Sequence, residues 1–482
     1  MDQSRSVAYV LGVLLVSLAV LMLLPALADS VSGNPDSGAF VLAAVITGFC
    51  GGALALGNQI SDLQLSHRAA FLVTVLGWVV ISAFGALPFV FSGLGFDYAD
   101  AFFESISGFT TTGSTVLVGL DRMPPGILLW RALTQWVGGI GIIAMAVAIL
   151  PFLRIGGMQL FRTESSDRSD KVLPRPGQIA LAIGEVYLLL TLLCVIGYLL
   201  TGMTAFDAVT HAMTTLSTGG YSTHDASFAY FTNPLTHWVA ALFMILGSLP
   251  LVLYVYVAQR GTRAISRDVQ ARTFLLVFAV VSLVLAFSLW SDEGLTVGDA
   301  FRYSAFNVAS IMSSTGYASA DYTLWGPFAT MIFFVLTFLG GCTGSTAGGI
   351  KTFRLQILAL LLKTQLRQML YPHASHTPRY GDKQISSDII ASVALFVFIY
   401  MAGIALLATG LAAIGLDFET SLSGAATAIG NVGPGLGSII GPAGNFKSVP
   451  DSAKWMLSAG MLLGRLELLT VLVVISPDFW RR

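Results

Sequence analysis

The sequence predicts an all-α polytopic membrane protein: four tandem helix–pore loop–helix repeats around a pseudo-fourfold pore, preceded by two extra N-terminal transmembrane helices. Three observations predict it. The composition suits lipid, with 55% hydrophobic and 11% charged residues and a mean hydropathy of +0.78, whereas soluble domains carry ~25% charge. Ten apolar stretches approach the ~20 residues a crossing helix needs, near 7–27, 39–57, 69–92, 126–151, 179–202, 236–258, 273–290, 326–361, 386–411 and 453–476. Four shorter, semi-polar segments lie between alternate stretches and share one plan.

The first two stretches, within 1–65, stand as the N-terminal helices. The other eight pair into repeats over 66–154, 176–260, 270–370 and 384–482. In the third repeat the second stretch is interrupted at 340–349 by GGCTGSTAGG. Each glycine costs a helix ~1 kcal/mol against alanine, so a broken span is expected there. With the N-terminus inside, nineteen of the 25 Lys and Arg fall on the inner side. Only Arg122, Arg302, Lys447 and Lys454 fall outside, and Arg131 and Arg465 lie within spans. This positive-inside asymmetry places both termini in the cytoplasm. Acidic residues gather on the outer side, where they would concentrate cations.

The four outer segments are too short to cross the bilayer and too apolar for simple loops. Such segments are re-entrant candidates, tolerated at membrane depth where they are buried in protein or line water. Each opens with an acidic residue beside Phe and closes with Ser, Thr or Asn leading into glycine: Asp100 to Gly113, Phe206 to Gly219, Asp299 to Gly316, and Asp417 to Gly433. The closing glycines recur at intervals of 106, 97 and 117 residues, an internal repeat. A half-membrane helix entering from outside aims its partly negative C-terminal end at the pore centre, where a cation is stabilised. The loop that follows turns carbonyls inward, and four such loops replace an ion's hydration shell. The expected ion-binding set is Thr111, Thr112, Gly113, Thr218, Gly219, Thr315, Gly316, Asn431, Val432 and Gly433.

Other chemistries find little support. Net charge is −1, without the basic arms or basic–aromatic interleaving of nucleic-acid binding. The three cysteines lie in apolar runs, and neither they nor the six histidines show metal spacing or a catalytic pairing. GSTAGGIKT at Gly344–Thr352 approaches a phosphate-binding loop, but Ile350 stands where that motif has glycine. A solute transporter with inverted repeats would account for the break at 340–349. It would not account for four matched segments on one side.

Longer motifs carry a family resemblance: WRALTQWVGGIG at Trp130–Gly141, STGGYST at Ser217–Thr223, STGY at Ser314–Tyr317, Gly340 to Lys351, GNVGPGLG at Gly430–Gly437, and Gly464-Arg465-Leu466-Glu467. Across essentially its whole length the chain resembles the Trk/Ktr/HKT superfamily of potassium transporters. It is closest to the TrkH-type bacterial branch, which carries two extra N-terminal helices. The resemblance implies potassium uptake, with K+ ions in the pore at filter carbonyls and no covalently bound cofactor. It implies Gly113, Gly219, Gly316 and Gly433 as filter glycines, a set associated with preference for K+ over Na+. It implies an intramembrane gate of Gly340, Gly341, Gly344, Ser345, Thr346, Gly348, Gly349 and Lys351, approached by Arg465 from the last helix. A charge within a span is costly and functional by default. The resemblance further implies the bacterial cytoplasmic (inner) membrane, a homodimer with one pore per protomer, and a cytosolic TrkA-type nucleotide-binding regulatory subunit. The basic inner loops at 154–175 and 351–383 are the expected docking surfaces.

Overall fold

The computed structural model describes residues 2–60, 65–148, 176–373, 378–381 and 383–481. The last residues of the first repeat, 149–154, and the basic loop at 154–175 lie outside these residues. The described chain is nearly all helical, and a two-residue-per-strand hairpin, Arg379–Tyr380 against Lys383–Gln384, is a small departure from the all-α expectation.

The N-terminal helices, Asp2–Val31 and Ser37–Gly57, lie against each other at a glycine contact. A Cβ on Gly51 would come within 2.8 Å of Leu15 Cβ. Small residues allow this backbone approach in lipid, where packing rather than water exclusion joins helices. Each later repeat places a short buried helix between the two helices of its spans. The short helices are Tyr98–Phe109, Ala205–Leu216, Val297–Met312 and Phe418–Gly430, of 12, 12, 16 and 13 residues. At 1.5 Å per residue they span roughly 18–24 Å, less than the ~30 Å hydrocarbon core.

All four start alike. Asp97, Thr204, Thr296 and Asp417 accept from the backbone N–H three residues on, and Asp100, Asp207, Asp299 and Glu419 occupy the first turns. The repeated acids therefore complement each helix's positive N-terminal end. Polarity is arranged for lipid: Ser107, Thr214, Ser310 and Thr427 are buried, while Leu27, Leu181, Phe287 and Leu406 are exposed.

Among the described residues, seven helices cross the membrane unbroken by length and composition. Two stretches expected as straight spans are bent instead. The one at 236–258 divides into Pro234–Ser248 and Leu251–Ala258, at 92°. Pro250 lies in the gap, and Leu249 before it is extended, as a residue preceding proline prefers. The one at 453–476 divides into Asp451–Arg465 and Leu469–Ile475, at 111°, with Glu467 and Leu468 at positive φ. The expected break in the third repeat falls between Gly326–Phe338 and Thr352–Leu370.

Candidate functional site

Each short helix ends in the same backbone sequence. Thr111, Thr218, Ser314 and Asn431 take left-handed φ of 51°, 53°, 57° and 53°. Two residues further on, Gly113, Gly220, Gly316 and Gly433 have φ of 87°, 80°, 83° and 108°. The amides between them turn back to their own helices: Thr112 N–H to Ser107 O at 2.9 Å, Gly219 N–H to Thr214 O at 2.9 Å, Thr315 N–H to Ser310 O at 2.8 Å and Val432 N–H to Thr427 O at 3.0 Å. Gly219 was expected to match Gly113. The backbone instead aligns Gly220 with Gly113, and Gly219 with Thr112, Thr315 and Val432.

These segments close a ring. A Cβ on Gly113 would overlap the Gly219 carbonyl, one on Gly220 the Thr315 carbonyl, and one on Gly316 the Val432 carbonyl. On Gly433 it would lie 2.8 Å from the Thr112 carbonyl, returning to the first repeat. Positive φ and this crowding each exclude a side chain, which is why glycine recurs here. Thr112, Thr315 and Val432 are buried. The Thr112 hydroxyl accepts from Asn431 Nδ2 at 3.0 Å, which ties the first segment to the fourth.

The repeats also interlock behind the ring. Tyr221 and Tyr317, each following its ring glycine, reach the preceding short helix: Tyr221 donates to Glu104 O at 2.7 Å and Tyr317 to His211 O at 3.2 Å. Arg131 Nε donates to Glu104 Oε1 at 2.8 Å and Nη1 to Ser222 O at 2.7 Å. Gln135 donates to Gly219 O at 2.6 Å and accepts from Tyr221 N–H at 3.0 Å. Sequence reading missed Gly220, Gln135 and Glu104. The one local signal was the tyrosine shared by the second and third segments.

The loop 340–351 passes under the C-terminal ends of three short helices. Thr346 Oγ1 donates to Leu216 O at 3.0 Å, Gly348 N–H to Ser314 Oγ at 2.5 Å and Gly349 N–H to Gly430 O at 2.9 Å. Gly340 and Ile350 close its neck with an N–H···O bond of 2.8 Å. Gly341 sits against Ser248 O at the helix gap, Gly344 O accepts from Leu251 N–H at 3.0 Å, and Ser345 Oγ donates to Cys342 O at 2.6 Å. Lys351 Nζ donates back to Ala347 O. Arg465 Nη1 donates to Thr346 O at 3.0 Å. Glu467 pairs with buried Arg354, whose guanidinium lies 3.6 Å from the Phe396 ring centre. The structure thus brings Arg465 and the loop together beneath the ring.

At the N-terminal end of the second short helix, His224 Nδ1 lies 2.6 Å from Asp121 Oδ1, Nε2 faces Asp207 at 3.5 Å, and the ring stacks on Tyr230. Burial alone would lower the imidazole pKa, but the Asp207 and Asp121 carboxylates outweigh it and hold it above the ordinary value. A raised folded pKa stabilises below the unfolded value, and that contribution is lost as pH rises through the folded one. The latch between repeats therefore weakens toward alkaline pH. Asp121→Asn is expected to lower the His224 titration midpoint by NMR; an unmoved midpoint would refute the pairing.

A ring of four inward-turned loops at the ends of half-length helices defines a pore-type integral membrane transporter rather than an enzyme. The chain belongs to the TrkH family of cation transport proteins, whose family model matches residues 37–482. It is 47% identical over 475 residues to the Trk system potassium uptake protein TrkI of Halomonas elongata, covering 98% of this chain and 96% of that protein. It is 36% identical over 486 residues to the Trk system potassium uptake protein TrkH of Vibrio parahaemolyticus, covering 99% and 100%. The crystal structure of the potassium transporter TrkH from Vibrio parahaemolyticus matches with a TM-score of 0.92 at 34% identity, over 99% of this chain and 100% of that one.

Proposed function

We propose that the protein takes up K+ across the bacterial cytoplasmic membrane, as the translocating subunit of a Trk-type system. The ion passes the ring formed at Thr111–Gly113, Thr218–Gly220, Ser314–Gly316 and Asn431–Gly433, whose backbone carbonyls replace its hydration shell. The cyclic closure of the four glycine contacts carries this reading. The loop from Gly340 to Lys351, with Arg465, gates the path beneath the ring. Both termini face the cytoplasm, two protomers associate with one pore each, and a cytosolic TrkA-type nucleotide-binding subunit regulates opening. The basic helix Thr352–Leu370 continues directly from the gate and is the described surface suited to that subunit.

The test is uptake of radioactive Rb+ into proteoliposomes under a K+ gradient, with K+, Na+ and an amino-acid mixture as competitors. K+ is expected to block uptake and Na+ to block it little. Gly316→Ser is expected to admit Na+ as a competitor, because its Cβ meets Val432 O and Pro434 Cδ and displaces the ring. Absence of Rb+ uptake, in wild type and in Arg465→Ala with the regulatory subunit present, would sink the reading in favour of solute transport.

A further inference from the structure

We propose that Gln135 is a positioning residue for ion discrimination, locking the peptide between Gly219 and Gly220 in the second ring segment. The inference rests on the potassium-pore reading and adds a residue outside the four loops to it. Gln135 lies on the helix Pro125–Ala148 of the first repeat and is fully buried. Its amide bridges Gly220: Nε2–H donates to Gly219 O at 2.6 Å, and Oε1 accepts from Tyr221 N–H at 3.0 Å. The opposite amide orientation would set donor against donor and acceptor against acceptor, so both bonds fix one arrangement.

The second segment needs such a lock more than the others do. It alone has two glycines in succession at the positions where the others have Thr112-Gly113, Thr315-Gly316 and Val432-Gly433. A Gly-Gly peptide can turn its carbonyl away with little steric resistance. Thr112 and Thr315 are held by hydroxyl contacts to Thr110 at 2.7 Å and Ser313 at 2.6 Å. Gly219 has no side chain to be held by.

Gln135 occupies the volume of that missing side chain. The three heavy atoms nearest to a Cβ built on Gly219 are all from its side-chain amide. Gly219 itself is not among the positive-φ glycines, so its backbone accepts other residues. The second repeat has thus replaced an anchoring side chain on the loop with one borrowed from the first repeat. The borrowed amide also donates to a ring carbonyl, and so sets both the direction and the electron density that this carbonyl offers an ion.

This substitution makes a reciprocal test possible. Rb+ uptake into proteoliposomes would be measured with K+ and Na+ competition for wild type, Gln135→Ala, Gly219→Ala and the double variant, each checked for monodispersity. Gln135→Ala is expected to lose K+ over Na+ preference roughly fivefold, the size of one neutral hydrogen bond, while Rb+ uptake persists. Gly219→Ala alone collides with the amide and loses preference too. In the double variant the new methyl enters the vacated space and most of the preference returns, a reciprocity that general destabilisation would not produce. If Gln135→Ala does not fold, Gln135→Met keeps the volume without the bonds and is expected to show the same loss. Wild-type preference in Gln135→Ala or Gln135→Met, or a double variant no better than Gln135→Ala, would overturn the proposal. Wild-type protein whose uptake K+ does not block would fail earlier, at the potassium reading itself.

Discussion

Arg131→Met is expected to destabilise the folded protein by about 3–5 kcal/mol, the cost of leaving one partner of a buried ion pair uncompensated. The Arg131 and Glu104 side chains are 2% and 0% exposed. Glu104 also accepts from Thr115 Oγ1 at 2.9 Å and Val116 N–H at 2.9 Å, and the Arg131 guanidinium lies 4.1 Å from the Tyr221 ring centre. One pair thus joins the first short helix, the segment beyond its ring glycine, the following long helix, and the segment beyond the second ring glycine. Forming it costs most of what the charges gain from each other, so its net worth is small while its rupture is expensive. The double variant Arg131→Met/Glu104→Gln removes both charges yet keeps an acceptor for Val116 N–H. It is expected to recover much of the loss. Thermal unfolding in detergent reads both, and equal midpoints for wild type and Arg131→Met would refute the account.

The parts that sequence could reveal are those with a local cause. Four short helices with caps and first-turn acids announce themselves through Asp100, Asp207, Asp299 and Glu419, because capping acts within one turn. The break at 340–349 is legible from its glycines, and Pro250 was a visible breaker set inside an apolar run long enough to hide it. The turn at Glu467–Leu468 has no comparable signal. Neither residue favours positive φ, and that break is supported from outside by the pairing of Glu467 with Arg354.

Register in the second segment failed for a related reason. Gly219 and Gly220 are equivalent to any reading based on residue type, and only the hydrogen bonds of the neighbouring amides separate them. The partners of Arg131 and Gln135 lie 16 to 91 residues away in the chain. Periodicity has no access to such contacts. The outer acids had also suggested an attraction for cations, yet those in the first turns complement their helices' N-terminal ends.

Arg465→Ala is expected to raise Rb+ flux about tenfold or more. Arg465 is buried with one bond, to Thr346 O, and among the described residues its Nε and Nη2 have no hydrogen-bond partner. Its neighbour in sequence, Glu467, is committed to Arg354 instead. A full positive charge therefore sits beneath the ring with little to neutralise it. At an effective dielectric of ~20, like unit charges ~4 Å apart repel by ~4 kcal/mol, less in proportion to distance, and each ~1.4 kcal/mol is tenfold in rate. The same guanidinium holds the Thr346 carbonyl, and Thr346 in turn bonds Leu216 O at the end of the second short helix. Removing it both lowers the barrier and loosens the loop, so the two effects add in the same direction. Arg465→Lys separates them: it keeps the charge, gives up the planar reach of the guanidinium, and is expected to stay much nearer wild type. Initial uptake rates at matched protein density are the measurement. Unchanged or reduced flux in a well-inserted Arg465→Ala protein would mean that the arginine braces the loop without opposing the ion.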